Sequence, residues 1–155
     1  MSATGIGASI KRVEDLRFLK GNGHYTDDIN QLDQSHAWIL RSPHAHAKLN
    51  SVDTSKAAAA PGVIAIFTGA DMAADGVGGI PCGWQIHNKD GSPMAEPGHP
   101  ALAVDKVRHV GDQVAIVIAE TRDQARDAAE LIAVDYAVLP AAIDMDTALS
   151  GASLV

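Results

Sequence analysis

The sequence predicts a domain of the α/β or α+β class, in which helices accompany a mixed β-sheet. Two observations indicate this class. Short apolar segments bounded by turn residues are typical of strands, and helix signals lie between them, so that a strand–helix–strand order occurs twice. The chain has 155 residues, of which 46% are hydrophobic and 20% charged, so it is long enough and apolar enough to bury a core.

The first thirty residues, 1–30, mix charged residues and glycines without lasting periodicity. They are predicted to form an arm with short structured pieces, closed by the turn-prone Gly21-Asn22-Gly23. We expect the arm to be part of a single domain over residues 1–150. Residues 151–155 are then a tail or the start of a linker.

Strands are predicted at 35–41, 48–52, 63–68, 114–119 and 134–138, with shorter extended pieces within 101–110. The first strand ends at Ser42-Pro43 because proline cannot donate a hydrogen bond to a ladder. The run 63–68 is apolar and β-branched, which is typical of a buried strand.

Helices are predicted between these strands. Residues 55–60 are rich in alanine, follow the cap residues Asp53 and Thr54, and end before Pro61-Gly62. Residues 69–71 open about one helical turn, and 144–149 form a short last helix.

The clearest helix signal begins with the capping box Thr121-x-x-Gln124. Behind it, one face repeats at i, i+3, i+4 and i+7 with Ala125, Ala128, Ala129 and Ile132. Because most of these side chains are small, we expect the helix to lie close to a sheet.

The segment 75–100 differs from the rest of the chain. It holds six of the 14 glycines and four of the seven prolines and shows no clear element. A loop of this length is typical of a functional or partner-covered segment. Trp84 and Gln85 within it suit a contact with a ligand or another chain, although Trp84 could equally pin the loop to its own core. Cys82 is expected to be a packed or idle thiol, since no sequence neighbour would activate it.

Composition excludes several classes of protein. The formal charge is −7, which argues against nucleic acid and anionic membrane surfaces as partners. One cysteine cannot form an internal disulfide, a zinc ribbon or an iron–sulfur cluster within this chain. The longest apolar run, 114–119, is far shorter than a membrane span, and the N-terminus lacks a signal pattern. A cytoplasmic protein is therefore expected.

No complete catalytic set is evident. His44 and His46, preceded by His36, could join Asp27 or Asp28 around a metal, but turn histidines bonded to backbone or water are the simpler interpretation. Adjacent residues of an extended chain point to opposite sides, so Asp27 and Asp28 are expected to serve a turn or solvent rather than flank one bond. The glycine pairs follow no strand that opens a helix, so no dinucleotide loop is predicted.

Several strings occur in an order that resembles the N-terminal α/β-hammerhead domain of the molybdopterin-binding large subunit of the xanthine dehydrogenase, aldehyde oxidase and aerobic carbon monoxide dehydrogenase family. The strings that carry the resemblance are Arg12-x-Glu14-Asp15, Phe18-Leu19-x-Gly21-x-Gly23-x-Tyr25-x-Asp27-Asp28, Arg41-Ser42-Pro43-His44-Ala45-His46-Ala47, Thr68-Gly69-x-Asp71, Lys106-Val107-Arg108-x-Val110-Gly111 and Val134-Asp135-Tyr136-x-x-Leu139-Pro140. Any one is weak; their number and order make the likeness specific.

The resemblance implies an α+β hammerhead fold and an oxidoreductase that hydroxylates its substrate with water. It implies molybdenum–molybdopterin in the complete enzyme, with iron–sulfur clusters and FAD on partner chains or domains. No motif of the pterin loops or of the catalytic glutamate occurs in these 155 residues, so no catalytic, cofactor-binding or metal residue is assigned, and the isolated chain is expected to be inactive.

The expected partners are the remaining domains of the molybdopterin subunit and an iron–sulfur subunit, with self-association when the chain is isolated. Two alternatives stay open: a free-standing assembly or binding module with the same fold, and an independent enzyme that uses His44, His46 and Asp28 around a metal.

Overall fold

The computed structural model describes residues 5–151 and divides into two units between Gln34 and Ser35. Residues 5–34, called the arm below, form the first unit, and residues 35–151 belong to the second. The predicted tail at 152–155 lies outside the described residues. The division falls close to the predicted end of the arm at residue 30.

The arm contains short pieces of structure, as its sequence predicts, and these pieces are helical. Helix α1 spans Asp15–Leu19, and a 3-10 turn spans Thr26–Asp28. Between them, Phe18 stacks on Tyr25 with ring centroids 5.7 Å apart. The Asp28 carboxylate accepts a hydrogen bond from the Tyr25 N–H at 2.9 Å and so closes the turn.

The second unit contains, in chain order, β1 (His36–Arg41), β2 (Ala47–Asp53), α2 (Ser55–Ala58), β3 (Val63–Thr68), α3 (Gly69–Ala74), β4 (Lys106–Val107), β5 (Gln113–Ala119), α4 (Arg122–Glu130), β6 (Ala133–Val138) and α5 (Met145–Leu149). The predicted elements are present, most within two residues of their expected bounds. Together with the helices, the sheets confirm the α+β class.

The strands form two sheets rather than one mixed sheet. One has the order β1-β5-β3 and the other β4-β2-β6, and the strand pairs within both are antiparallel. Each strand–helix–strand run, β2-α2-β3 and β5-α4-β6, passes from one sheet to the other. Parallel neighbours need a crossover of about a dozen residues or more, and residues 54–62 are too few for one.

The central strand of the first sheet is β5. Ala115, Val117 and Ala119 on one of its faces are fully buried, and α4 packs over β5 and β1 on that side. The helix contributes the predicted face, with Ala125, Ala128, Ala129 and the following Ile132 all buried. The predicted capping box is confirmed, since Gln124 N–H donates to the Thr121 hydroxyl and Thr121 N–H to the Gln124 side chain.

The expectation that residues 63–68 form a buried strand is wrong. Strand β3 is an edge strand of its sheet, no residue in it is buried, and the Ile64 side chain is 60% exposed. A continuous apolar run predicts burial on both faces, but the pattern carries no information on whether a second neighbour will pair with the strand.

Helix α3 begins at a capping box within the string Thr68-Gly69-Ala70-Asp71. The Asp71 carboxylate accepts hydrogen bonds from the Thr68 N–H and hydroxyl, both at 2.7 Å. These bonds lower the pKa of Asp71 because they stabilise its ionised form. Gly69 is buried, and a Cβ placed there would overlap the backbone carbonyl of Ala103.

Among residues 5–151, none of the helices has the length and apolar composition needed to cross a bilayer.

The close approach of Gly69 to Ala103 predicts a position-specific effect of alanine. Gly69→Ala should lower the free energy of unfolding by about 1–3 kcal/mol, the usual result of overpacking, because the Ala103 backbone has to move. Gly78→Ala is the matched control, since a Cβ there has no heavy atom within 4 Å. Urea unfolding followed by circular dichroism measures both, and equal midpoints would contradict the close approach.

Candidate partner-contact surface

The segment 75–100 is doubled back on itself instead of lacking structure. The Ile86 carbonyl accepts from the Met94 N–H at 3.1 Å, and His87 and Pro93 form an antiparallel bridge. Further out, the Ile80 N–H donates to the His99 carbonyl at 2.7 Å. No element was predicted from the sequence of this segment. The hairpin formed by residues 86–94 shows that this prediction is wrong.

The hairpin turns at Asn88-Lys89-Asp90-Gly91. Asn88 N–H donates to the Ser92 carbonyl at 2.8 Å, and Gly91 has a φ of 85°, a backbone conformation that glycine adopts without cost. Asp90 accepts from the Ser92 hydroxyl and N–H at 2.6 and 3.0 Å, and these bonds lower the pKa of the carboxyl. An Asp-Gly pair between extended segments is a turn signal in the sequence itself, and it could have located this hairpin.

Glu96 fastens the base of the hairpin. One carboxylate oxygen accepts the Cys82 N–H at 3.3 Å, and the other accepts the side-chain amide of Gln85. Glu96 therefore joins two residues that precede the hairpin to the strand that leaves it. This role of Glu96 was not predicted from the sequence, because no local sequence pattern relates a carboxylate to residues 11 and 14 positions earlier.

Trp84 and Gln85, which were both predicted to contact a ligand or another chain, have different surroundings in the structure. The Gln85 amide is already bonded to Glu96 within the loop, whereas the Trp84 side chain is 81% exposed. Ile80 and Ile86 of the same loop are also more than half exposed. We call Ile80, Trp84 and Ile86 the loop apolar patch. The contact of this patch with a partner stays a prediction. Gln85 is assigned to bracing the loop through its bond to Glu96.

Cys82 is an exposed free thiol. Its Sγ lies 3.3 Å from the Trp84 carbonyl oxygen, to which the S–H donates. The thiol therefore lies within the braced base of the hairpin.

The histidines that follow β1 have separate partners. His46 is only 7% exposed, and its Nδ1 lies 2.7 Å from the Pro140 carbonyl oxygen. Because a carbonyl only accepts, Nδ1 carries the proton and Nε2 is left as an acceptor, which is buried with no partner among the described residues. His44 instead packs edge-on against Tyr136, with ring centroids 4.8 Å apart. Burial raises the pKa of Tyr136, against a hydrogen bond with Ser42 that lowers it.

This arrangement does not support the metal alternative. His44 and His46 are engaged in different contacts, and no group of three or more His, Cys, Asp or Glu within residues 5–151 is placed to hold a metal ion. Asp28, the proposed third ligand, caps its own turn in the arm.

Two small cavities border the segment 75–100. One, of about 200 Å³, lies between residues 97–100 and the side chains of Arg108, His109 and Asp112. The other, of about 210 Å³, lies between residues 80–82 and 94–97, beside His99. Both are below the ~300–1,000 Å³ typical of cofactor sites, so these residues do not by themselves fit a molybdopterin.

Residues 20–140 match the family model described as the a/b hammerhead domain of aldehyde oxidase and xanthine dehydrogenase. The chain belongs to this family. The resemblance and the hammerhead fold inferred from the sequence strings are thus confirmed.

Relatives of the hammerhead chain are much longer than it is. It is 40% identical over 140 residues to the carbon monoxide dehydrogenase large chain of Afipia carboxidovorans, covering 90% of this chain and 16% of that one. It is 38% identical to the nicotine 6-hydroxylase large subunit of Paenarthrobacter nicotinovorans, covering 94% and 17%. The solved quinoline 2-oxidoreductase of Pseudomonas putida 86 superposes with a TM-score of 0.78 at 39% identity, covering 94% and 18%. The hammerhead chain thus spans about a sixth of the length of these relatives.

The brace made by Glu96 predicts faster exchange of one amide. In Glu96→Ala, the Cys82 N–H should exchange roughly three- to tenfold faster, since an exposed hydrogen bond contributes about 0.5–1.5 kcal/mol. Hydrogen–deuterium exchange resolved by NMR measures it. The Asn88 N–H, bonded within the hairpin, is the internal control and should be unchanged, and Glu130→Ala controls for the loss of a surface charge. An unchanged Cys82 rate would contradict the brace.

Proposed function

We propose that this chain is the hammerhead domain of a molybdenum hydroxylase large subunit, and that it serves as a structural part without catalysing a reaction alone. The family match over residues 20–140 carries this proposal, and the relatives of this chain are large chains about six times longer. One relative, 32% identical over 90% of this chain, is named as the xanthine dehydrogenase molybdenum-binding subunit of Escherichia coli O157:H7.

In the complete enzyme, a molybdenum–molybdopterin centre would supply the oxidative hydroxylation of the substrate with water, and electrons would leave through iron–sulfur and flavin groups. We assign no step of that reaction to residues 5–151, and the two cavities beside the segment 75–100 are smaller than a typical cofactor site. The contribution of this chain is to hold its neighbours in position. A cytoplasmic location is part of the proposal, in line with a lone cysteine among 155 residues.

The loop apolar patch is the surface that we assign to the remaining domains of the large subunit. An exposed tryptophan at the braced base of a hairpin loses little conformational entropy on binding, which suits an interface anchor. The Glu96 bonds hold the backbone beside Trp84 in one conformation before contact. This preorganisation favours association, because less freedom remains to be lost.

An immunoblot of the source cells with an antibody against this chain tests the proposal. We expect a band about six times larger than 16.1 kDa, as the lengths of the relatives require. A band at 16.1 kDa would contradict the proposal and favour a free-standing assembly module with the same fold.

Trp84→Ala tests the loop patch. In the full-length subunit it should lower the free energy of unfolding by about 2 kcal/mol, the scale of an interface hot spot. In the 155-residue chain it should have little effect, because Trp84 is exposed there. Lys89→Ala at the hairpin tip is the control, expected to change neither protein. Equal changes in the free energy of unfolding in both proteins would contradict the assignment of the loop apolar patch to the large subunit. If the Trp84→Ala subunit instead loses only its association with the iron–sulfur subunit, Trp84 is assigned to that partner.

A further inference from the structure

The arm has local structure without a core. No residue in 5–34 is buried. Its contacts are short-range: Phe18 stacks on Tyr25, the Arg17 guanidinium lies 4.9 Å from the Phe18 ring, and Arg12 pairs weakly with Glu14 and Asp15 at 3.9–4.0 Å. Such exposed pairs contribute little to stability. The contacts within the arm therefore do not account for the stability of its conformation.

The arm instead exposes large aliphatic side chains along its length. The exposed set is Ile6, Ile10, Val13, Leu16, Leu19, Ile29 and Leu32. Leu19 is 85% exposed and Val13 96%. Leu16 and Leu19 are three residues apart in α1 and so lie on one face of the helix. Exposed apolar side chains at this density mark a surface that another polypeptide covers.

The extent of the matches indicates which polypeptide this is. The family model matches residues 20–140, so this match does not include residues 5–19 of the arm. The match to the nicotine 6-hydroxylase large subunit covers 146 residues and leaves at most nine outside it, so the region matched to that large chain includes residues 10–19. More than four-fifths of each such chain lies beyond the matched region. An exposed apolar segment inside a region that matches a large chain fits a partner that every large chain possesses, namely its own remainder.

The charge of the arm fits the same occupant. Residues 5–34 carry four Lys or Arg and five Asp or Glu side chains, so the arm is nearly neutral within a chain of formal charge −7. These nine charged side chains among 30 residues exceed the chain average of 20%, so the small net charge permits an apolar contact but does not identify its partner.

We propose that the arm is a docking strap, whose aliphatic side chains Val13, Leu16 and Leu19 pack on the part of the same large subunit that follows the hammerhead domain. This inference rests on the proposed function and adds a second contact surface to the loop apolar patch. The aliphatic side chains of the arm are buried in that interface. The interface in turn includes residues outside the two sheets of the hammerhead domain.

Limited trypsin digestion tests the strap, because Arg12, Arg17 and Lys20 place cleavage sites along it. In the 155-residue chain we expect rapid cleavage after Arg12. In the full-length subunit the same cleavage should be at least tenfold slower. Equally fast cleavage in both proteins would overturn the strap while leaving the subunit size, and hence the proposed function, intact.

The variant Leu16→Ser/Leu19→Ser shows whether the aliphatic side chains hold the arm. In the full-length subunit it should restore cleavage after Arg12 by about tenfold, whereas the control Asn22→Ser should not. Circular dichroism of the same variant in the 155-residue chain should be unchanged, because both leucines are exposed there. Unchanged protection in the variant would overturn the role of these side chains.

Two further outcomes also overturn the strap. Protection of the arm in the 155-residue chain together with a dimeric mass in sedimentation would assign the arm to a second copy. A source that makes only the 16.1-kDa chain would remove the named occupant together with the proposed function.

Discussion

The packing of α4 on β5 is the contact on which the second unit depends. Strand β5 pairs with β1 on one side and β3 on the other, so the first sheet exists only if β5 is in place. Its buried Ala115, Val117 and Ala119 face a helix whose buried residues are alanines. Side chains this small bring helix and sheet backbones close together, and any larger residue would overpack the contact.

Two valines connect this contact to the second sheet. Val52 of β2 and Val134 of β6 pack against the buried cluster under α4 and also against the cluster formed by Ala47, Leu49, Ala103, Val107 and Val114. The chain passes between the sheets through α2 and α4, and these two connections place both valines where the clusters meet. Gly69 is part of the same close packing, because the Ala103 backbone occupies the position that a side chain at residue 69 would take.

The surfaces proposed for assembly share one physical character. The loop patch and the arm both expose large apolar side chains on backbone that is held by local hydrogen bonds or ring stacking and not by a core. Covering such side chains removes apolar area from water, and holding the backbone in advance limits the entropy lost on contact. In the proposed assembly the hammerhead chain supplies interfaces, as expected of a domain that spans about a sixth of the length of its relatives.

The sequence by itself determined the position of α4, its capping box and its buried face, and the places of five of the six strands, because periodicity and capping depend on residues within a few positions of each other. The ordered strings also identified the family. Only the tertiary structure decided that β3 lies at an edge, that the strands divide into two sheets, and that Glu96 joins Cys82 to Gln85. Each of these depends on which distant segments meet, and a local pattern of residues contains no information about its partner in space.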